Sequence, residues 1–162
     1  MPAPEGGCLC GRVRCAVKSP PMRVTICHCR FCQRATGSAY LVEPIFAKPD
    51  VDVILGQPKV YRHRSKGSGK MVDVHFCDNC GTKLFLTFER FPDVAGVYGG
   101  TFDNSNWFER SAENTRLIFL SVAQHGTVIP SGVKCFEQHT MTNEGKPIEP
   151  RVYDEPYVIG TG

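Results

Sequence analysis

Apolar residues recur along this chain in short runs, alternating with polar ones or clustered as β-branched and aromatic side chains. No long segment carries a helical period. Val51-Asp52-Val53-Ile54-Leu55, Met71-Val72-Asp73-Val74-His75-Phe76, Leu84-Phe85-Leu86-Thr87-Phe88 and Arg116-Leu117-Ile118-Phe119-Leu120-Ser121-Val122 read as strands. Between the apolar runs stand Gly56, Pro58, Gly67-Ser68-Gly69, Pro92, Gly99-Gly100, Gly126, Pro130 and Gly132, which are turn residues. Helix is confined to a turn or two near Arg30 to Gly37 and near Asn106 to Glu113. The pattern predicts one mainly β domain over residues 1–139. Residues 140–162 form a polar, Pro-containing tail with a turn at Asn143-Glu144-Gly145-Lys146-Pro147. The pattern leaves open whether that tail packs on the domain, reaches a partner or is disordered.

Composition places the chain among ordinary globular proteins, with 41% hydrophobic and 22% charged residues in 162. No apolar run reaches the roughly 18 residues of a membrane span, so no membrane partner is expected. The first residues, Met1-Pro2-Ala3-Pro4-Glu5-Gly6-Gly7, lack the basic and apolar regions of a secretory signal, which predicts a cytoplasmic protein with reduced thiols. The formal charge of +3 comes from scattered basic residues, and no nucleic-acid partner is expected. An exposed sheet edge would leave a homodimer open.

Nine cysteines change this picture, because seven of them fall in three short clusters. Phe76-Cys77-Asp78-Asn79-Cys80-Gly81-Thr82 is a zinc knuckle: two thiolates separated by two residues, closed by a glycine that tolerates a left-handed backbone. A structural zinc takes four ligands, and Cys8 and Cys10 in Gly6-Gly7-Cys8-Leu9-Cys10-Gly11 are the natural complement; on a strand, residues two apart face the same way. Cys27-His28-Cys29-Arg30-Phe31-Cys32 supplies three sulfurs, with Cys27 and Cys29 on one strand face and Cys32 returning after a turn. Three protein ligands and a free fourth vertex are the layout of a catalytic zinc. The alternative is a second structural site completed by Cys15, Cys135, His63, His75 or His125. Cys15 shares a parity with Val13 and Val17, and Cys135 stands apart from the other cysteines, so both read as core residues. His28 alternates against Cys27 and Cys29 and reads as a hydrogen-bonded structural histidine, with proton transfer as the second option. Seven thiolates and two zinc dications would bring the formal charge to zero.

Three stretches together resemble the glutathione-dependent formaldehyde-activating enzyme family, which includes the centromere protein V-like zinc domains. They are Gly7-Cys8-Leu9-Cys10-Gly11-Arg12-Val13-Arg14-Cys15, the run from Cys27 through Gln33-Arg34-Ala35-Thr36-Gly37 to Tyr40, and His75 to Phe85. The resemblance spans about Gly6 to Phe136. It implies a β-tent of several small antiparallel sheets organised around zinc. It assigns Cys8, Cys10, Cys77 and Cys80 to a structural zinc and Cys27, Cys29 and Cys32 to a second zinc at the active site. It also implies a carbon–sulfur lyase that reversibly adds the glutathione thiol to formaldehyde. Two further readings stand beside it: a same-fold enzyme acting on another aldehyde, thiol adduct or imine-like metabolite, and a non-catalytic zinc module that binds a protein.

A zinc held by three thiolates carries a net charge of about −1, which disfavours hydroxide chemistry and favours a fourth, substrate sulfur. The added charge calls for cations and polar groups nearby. Arg34 is the leading contact for a substrate carboxylate, with Arg30, Gln33 and Thr36 as further substrate contacts. Phe102, Asp103, Trp107 and Phe108 read as core packing with a surface acid, or else as a pocket wall.

Overall fold

A computed structural model describes residues 2–161. In chain order the elements are β1 (Glu5–Gly7), β2 (Arg14–Val17), β3 (Arg23–Cys27), α1 (Arg30–Thr36), β4 (Leu41–Ala47), β5 (Val51–Leu55), β6 (Lys59–Arg64), β7 (Met71–Phe76), β8 (Lys83–Phe88), β9 (Val94–Val97), β10 (Thr115–Ile118), β11 (Val128–Ile129), β12 (Lys134–Cys135) and β13 (Tyr157–Val158). The protein is mainly β, in several sheets. No helix among the described residues is long and apolar enough to cross a membrane.

The chain divides into two compact units. One comprises the chain up to Met22 together with Glu43–Glu109. Within it β2 lies between β1 and β5, with Gly7 opposite Arg14 and Val17 opposite Val51. A second antiparallel array runs β4-β9-β8-β7-β6, with Ile45 opposite Gly96, Val74 opposite Leu86 and Tyr61 opposite Val74. Val17, Phe46, Val74, Leu84, Leu86 and Ala95 are buried here. Each large apolar side chain removed from water contributes about 1.5–3 kcal/mol. Strand β6 ends the array, and Lys59, Arg62 and Arg64 suit an edge that does not aggregate. Phe102 and Phe108 are buried, and with Trp107 they pack edge-to-face. Phe46 stacks on Trp107 at 6.2 Å. Asp103 is exposed and pairs with Arg14, which also bonds Glu5 at 3.3 Å. The aromatic segment is core, with a surface acid.

The other unit comprises Arg23–Val42 and the chain from Arg110 onward. Here β10 lies between β3 and β12, and both pairings are parallel, with Ile118 opposite Cys27 and Leu117 opposite Cys135. The strand expected over 116–122 stops at Ile118. Phe119 takes a left-handed conformation, φ 60 and ψ 40, and Leu120–Val122 continues as a 3-10 turn. The helical turns expected at Asn106 to Glu113 are instead turns and bends. The helix near Arg30 is present as α1, and Gly37 caps it at φ 68.

Residues 140–161 pack on this second unit. Strand β13 pairs with β11, and Arg151 and Cys135 exchange two 2.8 Å backbone bonds. Tyr153 and Ile159 lie on a core cluster of Leu117, Leu120, Ile129, Val133 and Cys135. Of the three options the sequence leaves for this segment, packing is the one the structure takes.

Candidate metal centres and active site

Four sulfurs in the first unit meet from two loops of similar construction. The β1–β2 hairpin closes with Cys8 N–H on Val13 O at 3.0 Å, and inside it Gly11 N–H reaches Cys8 O at 3.1 Å. The β7–β8 connection closes with Cys77 N–H on Thr82 O at 2.9 Å, and Gly81 N–H reaches Cys77 O at 2.8 Å. Gly11 and Gly81 both stand at φ 75, a conformation that costs a side-chain-bearing residue about 1–2 kcal/mol. Cys8 and Cys10 therefore sit in a loop beyond the end of β1, not on a strand as the spacing predicts. The turn brings their sulfurs within 3.6 Å of each other, and Cys10 Sγ lies 3.7 Å from Cys77 Sγ.

All four sulfurs lie within 4.8 Å of one another. A tetrahedral zinc with metal–sulfur bonds of about 2.3 Å needs sulfurs about 3.8 Å apart, so the donor set fits that ion. Thr82 ties the loops together, accepting Leu9 N–H at 3.2 Å and meeting Cys80 Sγ at 3.2 Å. Its hydroxyl and backbone hold the Cys80 thiol down to about 5. Four ionised sulfurs this close repel one another unless a cation lies among them.

Three sulfurs in the second unit meet at the junction of β3 and α1. Cys27 is the last residue of β3, and Cys29 is the N-cap of α1 at φ −61, ψ 155, so these two do not share a strand face. Cys29 Sγ accepts the Cys32 N–H at 3.3 Å, satisfying one of the helix's free donors. Cys27 and Cys32 are buried, Cys29 is half-buried, and the three sulfurs lie within 4.8 Å of one another. Hydrogen bonds from the thiols of Cys27 and Cys32 pull Cys29 down to about 3, against its burial. The same contacts, together with burial, push Cys32 well up. The Cys29 thiolate is therefore stabilised without a metal, whereas ionisation of Cys32 calls for a cation nearby. Among the described residues no fourth Cys, His, Asp or Glu donor joins this cluster.

Cys15, Cys135, His63, His75 and His125 join neither cluster. Burial pushes the Cys15 and Cys135 thiols up to about 11. His75 stacks on Phe85 at 4.1 Å and its Nε2 meets Thr87 Oγ1 at 2.9 Å. His28 is buried, and its Nδ1 donates to Ile118 O at 3.3 Å while the ring packs on Tyr40 at 5.1 Å. Burial pushes its pKa down, which favours the neutral ring.

The four polar residues expected to contact substrate divide in two. Arg30 and Arg34 are exposed on α1. Gln33 is buried and Thr36 half-buried, and both bond internally: Thr36 Oγ1 donates to Cys32 O at 2.7 Å, and Gln33 Nε2 donates to His28 O at 2.6 Å and Val122 O at 2.9 Å. The acceptors at Ile118 and Val122 lie far along the chain from the cysteines they support. No motif marks them, because every residue carries a carbonyl.

The family model for glutathione-dependent formaldehyde-activating enzymes matches residues 3–121. The chain belongs to that family. The matched span of the glutathione-dependent formaldehyde-activating enzymes takes in all seven clustered cysteines and stops one residue before Val122. A Halomonas elongata protein assigned by name to the glutathione-dependent formaldehyde-activating enzymes is 27% identical over 103 residues, covering 62% of this chain and 66% of its own length. A Schizosaccharomyces pombe protein named as an uncharacterized lyase is 27% identical over 88 residues, covering 54% of this chain and 60% of its own. The alignments thus span less than two thirds of the length of either relative. A crystal structure of a Rhodobacter sphaeroides protein shares the fold, with a TM-score of 0.51 at 21% identity, covering 64% of this chain and 91% of that one.

Proposed function

We propose that this protein is a zinc-dependent carbon–sulfur lyase that reversibly adds the thiol of glutathione to formaldehyde or a related small aldehyde. The observation that carries this reading is the Cys27–Cys29–Cys32 cluster: three converging sulfurs, one fewer than a closed structural site, in a chain of the formaldehyde-activating family. Cys8, Cys10, Cys77 and Cys80 would hold a closed, structural zinc, and Cys27, Cys29 and Cys32 a second one.

Zinc held by three thiolates supplies a soft acceptor that favours ionisation of a substrate thiol over ionisation of water. The chain's residues do the rest. Burial of Cys27 and Cys32 keeps water from that side of the sulfurs, and the Cys29 cap holds the third sulfur at the helix start. Arg34, exposed in the last turn of α1, would pair with a carboxylate of the thiol substrate. In the addition, a carbon–sulfur bond forms as the carbonyl π bond opens, and the thiol proton ends on the new hydroxyl oxygen. The reverse step returns that proton to sulfur and releases the aldehyde. The chemistry calls for reduced thiols, so we place the protein in the cytoplasm.

The test is the exchange rate between labelled formaldehyde, glutathione and their adduct, read by NMR with the zinc-loaded protein and with Cys29→Ser beside it. Acceleration by the wild type alone is expected. Equal rates with both proteins, zinc being present in the wild type, would sink the glutathione–formaldehyde assignment.

A further inference from the structure

Gln33 is 4% exposed, adjacent in sequence to Cys32, and its side-chain amide is fully committed. Nε2 donates to His28 O at 2.6 Å and to Val122 O at 2.9 Å. Oε1 accepts from the Arg30 guanidinium and, at 3.5 Å, from Gln124 Nε2. A side chain whose donors and acceptor are all engaged has nothing left to offer a ligand.

The place it grips is informative. Two peptides join Cys27 to Cys29, and His28 lies between them. The His28 N–H donates to Ile118 O at 3.1 Å, and the His28 C=O accepts from Gln33. Both polar groups of His28's backbone are thus pinned, one by the end of β10 and one by Gln33. The His28 ring adds a further bond to Ile118 O. Gln33 also ties the cysteine loop to Val122 and Gln124, just past the segment that matches the family.

We propose that Gln33 is the positioning residue of the three-cysteine centre: it sets the backbone between Cys27 and Cys29, and so the spacing of the three sulfurs, and does not contact substrate. This rests on the reading of that cluster as a metal centre. Metal sites hold their ligands through such outer partners, and losing one typically costs 10–100-fold in metal affinity.

Gln33→Met keeps the volume and the helix propensity of the side chain and removes both donors. Zinc-loaded wild type and variant would be titrated with a chromophoric chelator, and the cobalt(II)-substituted forms compared by absorption. Two metals are expected in each protein. One should leave about 10–100-fold more readily from Gln33→Met, with altered cobalt–thiolate bands, and Cys29→Ser should identify it as the metal of the second unit. The other metal should be held as in the wild type. Gln33→Glu, which keeps the acceptor for Arg30 but loses both donors, should move the same way. Gln124→Ala, which removes only the longest contact, should give a smaller shift in a protein that folds. Unchanged metal retention with a raised KM for glutathione would overturn the proposal and return Gln33 to the substrate contacts. Equal weakening of both metals would reduce it to a general packing residue. A wild type that binds only one metal would remove the metal reading of the cluster, and this inference with it.

Discussion

Cys29 carries two demands on one sulfur. It caps α1 by accepting the Cys32 N–H, and it converges with Cys27 and Cys32. Serine meets the first, since it is among the best N-caps, and fails the second, since its oxygen is a harder and poorer zinc ligand. Cys29→Ser should therefore keep its stability within about 1 kcal/mol while zinc falls from two per chain to one, measured by denaturation and metal analysis. Arg34 makes a different demand. Arg34→Ala should raise KM for glutathione about tenfold and leave kcat near the wild type, because a lost charge-assisted bond of about 1.5 kcal/mol acts on binding. An unchanged KM would mean that Arg34 is a surface residue. The two cysteines outside the clusters separate ligand from core by chemistry. A pKa raised to about 11 keeps Cys15 and Cys135 as thiols at neutral pH, and only a thiolate alkylates quickly. In the zinc-loaded protein both should resist iodoacetamide at pH 7. The half-buried Cys15 should react increasingly as pH climbs toward 11, and Cys135, 2% exposed, should wait for unfolding. Mass-spectrometric mapping across that pH range reads both.

Among the elements, the loops and α1 depend on backbone conformation more than on side-chain packing. At Gly37 an added Cβ would meet nothing within 4 Å, so any cost of Gly37→Ala lies in the φ of 68 alone. It should destabilise by about 1 kcal/mol in urea unfolding. A neutral result would mean that the cap relaxes to another geometry. The strands over 51–55 and 71–76, the run within β8, and α1 with its glycine stop are all legible in the sequence, because alternation and capping are local signals. The end of β10 is not. Residues 116–122 form an unbroken strand-like run, and Phe119 turns left-handed inside it. Its N–H bonds Gln138 O at 3.0 Å, and the following residues bond Phe136 and Glu137, a pattern set by distant chain.

At the scale of the molecule, each compact unit carries one cysteine cluster. The first unit has short sheets joined by loops, and the four sulfurs cross-link two of those loops. A structural zinc contributes about 10–16 kcal/mol of binding free energy in small zinc peptides, which matches the whole net stability of a domain, about 5–15 kcal/mol. Cys77→Ser should leave the first unit without a stable fold, seen as rapid proteolysis within 43–109. Cys29→Ser, in the second unit, should stay resistant. Equal resistance in both variants would end the division into a structural and a catalytic site.

Local spacing in the sequence determined the mainly β class, the knuckle at Cys77–Cys80 and the grouping of seven cysteines apart from Cys15 and Cys135, and the three cysteine stretches carried the resemblance to the family that the matching family model shows. Each depends on residue types a few positions apart, and there side-chain identity and backbone geometry are directly coupled. The tertiary structure alone decided that Cys8 and Cys10 converge through a turn, that β3 and β10 pair in parallel with Ile118 opposite Cys27, that residues 140–161 complete the second unit's packing, and that Gln33 faces inward. Those outcomes depend on backbone carbonyls and on registers between segments distant in the chain. Every residue carries a carbonyl, so only the fold can choose which one a buried amide will find.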